Sequence, residues 1–276
     1  MWSSFETSNG LVGWSSGDGA PLCVILHGGP GLTDYTESLA DELRSALPSD
    51  ATIVRYQQRG QVPSTTSGPF TVAQFVADAI EVIDHFDADK ALVVGHSWGG
   101  HLALHVGCSH PQRVLGLLLV DALGGVGDGG HGAMAAIISE RIGPDALASI
   151  DDLDDPDAVM RSTKELRILW PGYFADPLAA PPMPSDVRYD DDLNAAVMVD
   201  ANRLLAEGDL ERRMPTTSVR SVHVIGTASP IDPEANRITA RLLDGEVVMV
   251  DTGHFPWLES PGCVAIALAR LDLGTT

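Results

Sequence analysis

The sequence predicts an α/β fold, with a mostly parallel central sheet, helices on both faces and a helical insertion over one edge. Three observations lead there. Short apolar, β-branched runs alternate with stretches whose apolar residues recur at helical spacing, the pattern of strand–helix–strand units. The alternation stops after Asp121 and resumes at Ser221. The run at 91–95 (ALVVG) passes into a helical pattern across one residue, Ser97, with Gly95 two positions before it and Gly99 two after.

In order, residues 1–20 are rich in Ser and Gly with scattered aromatics and read as an edge hairpin. Residues 21–26 (PLCVIL) form a buried strand, followed by the loop 27–31 (HGGPG). Residues 34–47 carry Leu39, Leu43 and Leu47 at helical spacing. A strand at 52–56 (TIVRY) leads into the loop 57–64 (QQRGQVPS). Thr71 is a suitable N-cap for a helix reaching about Phe86, with Val72, Phe75, Val76, Ala79, Ile80 and Ile83 on one stripe. After the strand at 91–95, a helix runs to about Ser109 and stops before Pro111. The strand 114–120 (VLGLLLV) ends at Asp121.

Residues 122–214 carry no clear strand. They hold helix-like pieces, a Pro-rich stretch at 175–184 and Asp-rich runs at 151–157 and 189–192, and are expected to form a helical cap. Residues 1–121 and 215–276 then make up the core domain. Its second part has strands at 221–226 and 246–250, a helix at 233–243 and a last helix from about Pro261 to Leu271. Sheets of this kind bind ligands at the carboxyl ends of their strands, and each motif below falls at such an end.

The 276 residues are 44% hydrophobic, enough for a sizeable core, without the run of about 20 apolar residues that spans a membrane. The N-terminus has no basic segment followed by an apolar run, so a cytoplasmic location is expected. The formal charge is −21, and only Lys90 and Lys164 are lysine, which argues against nucleic-acid or anionic-membrane partners. Cys23, Cys108 and Cys263 are widely spaced and odd in number, fitting a reducing compartment. Cys23 and Cys108 lie in strand-like and helix-like runs and read as core filler rather than nucleophiles. Oligomeric state is not legible.

The chemistry gathers on Ser97. A strand that reverses into a helix over one residue strains that residue and presents its side chain on the tip of a turn; the flanking glycines make room. This is the G-x-S-x-G nucleophile elbow in its strand-before, helix-after context. A serine hydroxyl needs a base, and His254, just past the last strand, is the candidate.

The chain resembles the α/β-hydrolase superfamily over nearly its full length, through HGGPG at 27–31, GHSWGG at 95–100 and GHFPWLE at 253–259. HGGPG followed by QRG at 58–60 is most similar to the proline iminopeptidase branch, where Asp usually precedes QRG and Gln57 stands here. The resemblance implies a Ser–His–acid triad and an oxyanion hole made by the backbone N–H groups of Gly29 and Trp98. In most relatives the acid follows the strand matching 221–226 in a G-x-x-D pattern. Here Gly226 leads to Ser229 instead. Asp121, at the end of the preceding sheet strand, is the preferred acid. Certain haloalkane dehalogenases and cofactor-free dioxygenases use that position. Asp232 is the alternative, and Asp251 is too close in sequence to His254.

Other motifs carry less. Gly125, Gly127 and Gly130 spell G-x-G-x-x-G, but Asp121 to Gly124 separate them from the strand, so a hinge is expected rather than a dinucleotide site. His101 and His105 have i, i+4 zinc spacing without the Glu of HExxH and read as helix packing; His96 reads as elbow structure. DDLDDPD at 151–157 lacks the Gly and Glu of a calcium loop and reads as a solvated face. No cofactor and no metal are expected. The expected function is a serine hydrolase cleaving an ester, lactone or amide of a small, partly hydrophobic substrate through an acyl-enzyme on Ser97. The alternatives are a cofactor-free dioxygenase using a His–Asp dyad and a triad-bearing ligand receptor.

Overall fold

The computed structural model describes residues 1–271. Among them the strands β1 (Ser3–Glu6), β2 (Val12–Ser16), β3 (Gly19–Leu26), β4 (Ala51–Tyr56), β5 (Ala91–His96), β6 (Val114–Val120), β7 (Ser221–Gly226) and β8 (Glu246–Val250) form one sheet in the order β1-β2-β4-β3-β5-β6-β7-β8. β1 and β2 are the antiparallel hairpin expected at the N-terminus, and β2 pairs antiparallel with β4. All pairings from β4 to β8 are parallel.

Parallel strands covered on both faces bury every residue, which is why their sequences read as unbroken apolar runs. Leu22, Val24 and Leu26 of β3 face one core with Ala91 and Val93 of β5. Cys23 and Ile25 face the other with Leu92 and Val94. The first core is covered by α2 (Val72–His85) and α3 (Trp98–Ser109), the second by α1 (Glu37–Arg44). Thr71 caps α2 as expected, its side chain accepting the Gln74 N–H. The bidentate Arg59–Asp78 pair, with both contacts at 2.5 Å, ties the loop after β4 to α2.

Between β6 and β7 lie only helical elements: α4 (Met134–Asp151), α5 (Ala158–Leu169), α6 (Asp191–Ala206), α7 (Asp209–Arg213) and short 3₁₀ turns including Trp170–Tyr173. The G-x-G-x-x-G stretch does not open a helix. Gly127 and Gly130 take positive φ in turns, and α4 begins only at Met134. α8 (Pro233–Leu242) links β7 to β8.

Several boundaries differ from the sequence reading, among them β3, which starts at Gly19 rather than Pro21, and α1, which ends at Arg44 rather than Leu47. α1 starts at Glu37 rather than Asp34, because the Asp34 carboxylate is bound by the Thr36 N–H, the Thr36 hydroxyl and Arg55. The last helix, expected from about Pro261 to Leu271, is α10 (Cys263–Leu268), and a short helix that the sequence reading did not give, α9 (Pro256–Glu259), precedes it after a break. The break follows from Pro261, which has no N–H to donate, and Gly262 at φ +92°. No helix of the described residues is long and apolar enough to cross a membrane.

Burial holds His27, His96, His101, His105 and His223 neutral, their pKa values pushed below the ordinary imidazole range, His101 to about 4 and His223 to about 3. The unfolded chain protonates these rings below about pH 6.5 while the fold does not. Their stabilising contribution is therefore complete above that pH and is lost as pH falls towards about 4, at up to about 1.4 kcal/mol per imidazole per pH unit. Thermal denaturation at high salt, where self-repulsion of the acidic surface is screened, should show Tm falling steadily below pH 6.5. A flat Tm down to pH 5 contradicts this.

Candidate active site

Ser97 caps α3 at φ +55° and ψ −122°, a conformation non-glycine residues rarely adopt. Its neighbours make the bend possible. A Cβ on Gly99 would run into the backbone carbonyls of Leu26 and His27, and one on Gly95 into the backbone of Gly99 and Gly100. The bend is tied to the sheet. The Ser97 N–H donates to Val120 O at 3.2 Å, and Ser97 O accepts from Leu123, Gly100 and His101. Such strain costs about 1–3 kcal/mol and persists only where surrounding bonds hold it.

Asp121, the residue after β6, also has a positive φ of 40°, and its N–H donates to Val224 O. Its buried carboxylate is fully engaged. Oδ2 lies 2.6 Å from His254 Nδ1 and accepts the Ser229 hydroxyl at 2.5 Å, while Oδ1 accepts the Gly226 N–H at 3.0 Å. Ser229, at the position where the resemblance places an acid, thus serves as a donor to the carboxylate one strand away. Asp232, the alternative acid, lies at the start of α8, where its carboxylate caps the helix and accepts the Glu234 N–H at 2.9 Å. Asp251 accepts from Thr227 at the surface.

His254 is 3% exposed, and its loop is pinned on several sides. Its N–H donates to Tyr173 O at 2.8 Å, and its carbonyl lies 2.7 Å from His96 Nε2. Glu259, inside the GHFPWLE motif, takes the Gly253 N–H on one oxygen and the Ala175 N–H on the other, clamping this loop to the helical segment. Arg141 of α4 completes the brace with bonds to the carbonyls of Gly172, Phe174 and Ala228. His254 Nδ1 is taken by Asp121, and the residue lines a cavity.

That cavity has a volume of about 490 Å³, and Ser97, His254, Gly29 and Trp98 all lie on its wall. The structure joins His254 to Asp121 directly. Among the described residues, no hydrogen bond links Ser97 Oγ to His254 Nε2. Such contacts are often long in a free enzyme and tighten around substrate. The Trp98 N–H opens α3, where the helix offers it no acceptor.

Gly29, at φ +54°, lies in a loop braced by the two glutamines after β4. Gln57 holds the Asp34 N–H and the Leu32 carbonyl; Gln58 bonds His27 O and accepts the Trp98 indole N–H at 3.0 Å. Gln57 is thus a tether in the place where the proline iminopeptidase branch has Asp. His101 and His105 are buried against each other, their Nε2 atoms 3.3 Å apart, as the packing reading expected. Tyr35, Ser229, Glu259 and Arg141 had no assigned part in the sequence reading. Glu259 carried a signal in its place in a named motif, and Ser229 in standing where the G-x-x-D pattern has its acid.

Residues 23–265 match the model of the alpha/beta hydrolase family. The chain is 33% identical to a proline iminopeptidase of Lactobacillus acidophilus over 124 residues, 43% of this chain and 41% of that protein. It is 30% identical to epoxide hydrolase B of Mycobacterium tuberculosis over 101 residues, 36% of this chain and 28% of that protein. These two matches span less than half the length of either relative. An enol-lactonase structure from Burkholderia xenovorans LB400 superposes with a TM-score of 0.64 at 19% identity, covering 99% of this chain and 100% of that one, a likeness of fold alone. Fold, motif order and the extent of the family match agree: the chain belongs to the alpha/beta hydrolase family.

Proposed function

We propose that this hydrolase works through a serine acyl-enzyme, with Ser97 as nucleophile, His254 as general base and acid, and Asp121 as the residue that orients and stabilises His254. The observation that carries the reading is the 2.6 Å contact of Asp121 Oδ2 with His254 Nδ1, on a cavity whose wall also presents the strained Ser97 elbow. In this mechanism Asp121 holds the Nδ1–H tautomer, so the bare Nε2 takes the Ser97 proton as Oγ attacks an acyl carbon. The N–H groups of Gly29 and Trp98 receive the oxyanion, each worth about 3 kcal/mol of barrier. The imidazolium returns its proton to the leaving group, and water, activated by the same nitrogen, releases the acid. Residues 122–214 act as a cap that shapes the cavity.

The walls include Leu32, Leu166, Leu169, Trp170, Met198 and Phe255, which suit a small, partly hydrophobic acyl group. Glu165 and Asp191 are carboxylates on the same wall and would hold a free amino group if the substrate were a proline amide. With a net charge of −21, anionic substrates are disfavoured. A second reading is a cofactor-free dioxygenase, favoured by one observation: the His254–Asp121 pair forms with no hydrogen bond from Ser97.

A panel of p-nitrophenyl esters, lactones, proline amides and hydroxylated heteroaromatics, assayed with oxygen consumption recorded, separates the two. Hydrolysis of short neutral esters or lactones without oxygen uptake is the expected result. Oxygen-dependent turnover of a heteroaromatic that survives Ser97→Ala would replace the hydrolase reading.

A further inference from the structure

A hydrogen-bond chain, half-buried at Tyr35 and buried at His96, links the loops around Ser97 through groups the proposed mechanism does not use. The Gly28 N–H donates to Tyr35 Oη at 2.9 Å. Tyr35 Oη lies 2.6 Å from His96 Nδ1, and His96 Nε2 lies 2.7 Å from His254 O. The proton positions follow from chemistry. A carbonyl oxygen only accepts, so His96 Nε2 bears the hydrogen. The ring is fully buried and held neutral, so Nδ1 is bare and accepts from the Tyr35 hydroxyl. The phenol oxygen then accepts the Gly28 N–H. Each group in the chain has one partner of the matching kind.

The three points it joins come from the ends of β3, β5 and β8. Gly28 precedes Gly29, His96 precedes Ser97, and the last acceptor is the main chain of His254 itself. Space is tight at Gly28, where an added Cβ would meet the Tyr35 hydroxyl and come within 2.8 Å of Ser97 Cβ. Tyr35 thus holds the residue directly before Gly29, which lines the cavity.

We propose that Tyr35 and His96 are positioning residues, a one-directional relay that fixes the separation between the Gly28–Gly29 backbone and the His254 loop around Ser97. The inference rests on the reading of Ser97, Gly29 and His254 as the reacting machinery. Tyr35→Phe deletes the central hydroxyl and keeps the ring. His96→Gln keeps a donor for His254 O, while its one acceptor, Oε1, does not occupy the place of Nδ1 beside Tyr35.

Each variant should lower kcat on a p-nitrophenyl ester by about 10- to 100-fold, the cost of sub-ångström misplacement, with KM changed less than about threefold. The double variant should lose no more than the worse single one. Nitrogen-15 spectra of histidine-labelled protein give a readout independent of activity. The wild type should show His96 protonated at Nε2 and bare at Nδ1, and Tyr35→Phe should shift both the His96 and the His254 ring signals. An Nδ1–H tautomer at His96, an unchanged kcat in Tyr35→Phe, a change in KM alone, or losses that multiply in the double variant would each overturn the relay. A wild type inert to every ester, lactone and proline amide of the panel overturns the serine acyl-enzyme reading instead, and the spectra still decide the relay.

Discussion

Ser97→Ala should lower kcat by about 10⁴- to 10⁶-fold, with Tm within a degree or two of wild type. The contrast follows from what the hydroxyl does. The bend is held by main-chain bonds from Ser97 to Val120, Leu123, Gly100 and His101, and an alanine keeps all of them. Among the described residues the hydroxyl itself makes no hydrogen bond, so its loss leaves no buried partner unsatisfied. It is needed only when an acyl carbon arrives. The residual rate, about 10³-fold over water, would come from the Gly29 and Trp98 amides and from substrate binding. Steady-state kinetics beside a thermal melt checks both halves. Substantial residual activity in a protein that still melts like wild type would mean that the chemistry runs through His254 alone.

Asp121→Asn should cost about 10⁴-fold in kcat, the size seen when the equivalent oriented carboxylate of serine proteases is made an amide. Here the reason can be traced atom by atom. The carboxylate accepts three donors: Gly226 N–H on Oδ1, with the Ser229 hydroxyl and the His254 ring on Oδ2. An asparagine that keeps its oxygen towards Gly226 turns an NH₂ towards His254, which must then accept at Nδ1. The proton moves to Nε2, and the ring can no longer take one from Ser97. The flipped asparagine opposes its NH₂ to the Gly226 N–H. Asp232→Asn should leave kcat near wild type, because that carboxylate only caps α8. Equal losses at the two positions would refute the assignment of the acid.

The strands and the elbow were legible because burial on both faces writes itself as unbroken apolar runs, and because a one-residue reversal demands Gly95 and Gly99. The acid was only half legible. Sequence preferred Asp121 to Asp232 from its place at the end of a sheet strand, while the features that support the preference, the 2.6 Å contact with His254 and the Ser229 hydroxyl that meets the carboxylate from the neighbouring strand, need coordinates. The Tyr35–His96 chain left no trace, because Tyr35 lies in a loop and its partners are 7 and 61 residues away in sequence. The short α9 was missed because its four residues, Pro256–Glu259, are too few to show helical spacing.

Ser97 as the covalent centre is most directly tested by treating the wild-type protein with a fluorophosphonate and mapping the adduct by peptide mass spectrometry. The account predicts one stoichiometric adduct on Ser97, formed far more slowly in Asp121→Asn and not at all in Ser97→Ala. An adduct on another residue, or none on an enzyme that turns over esters, would contradict it.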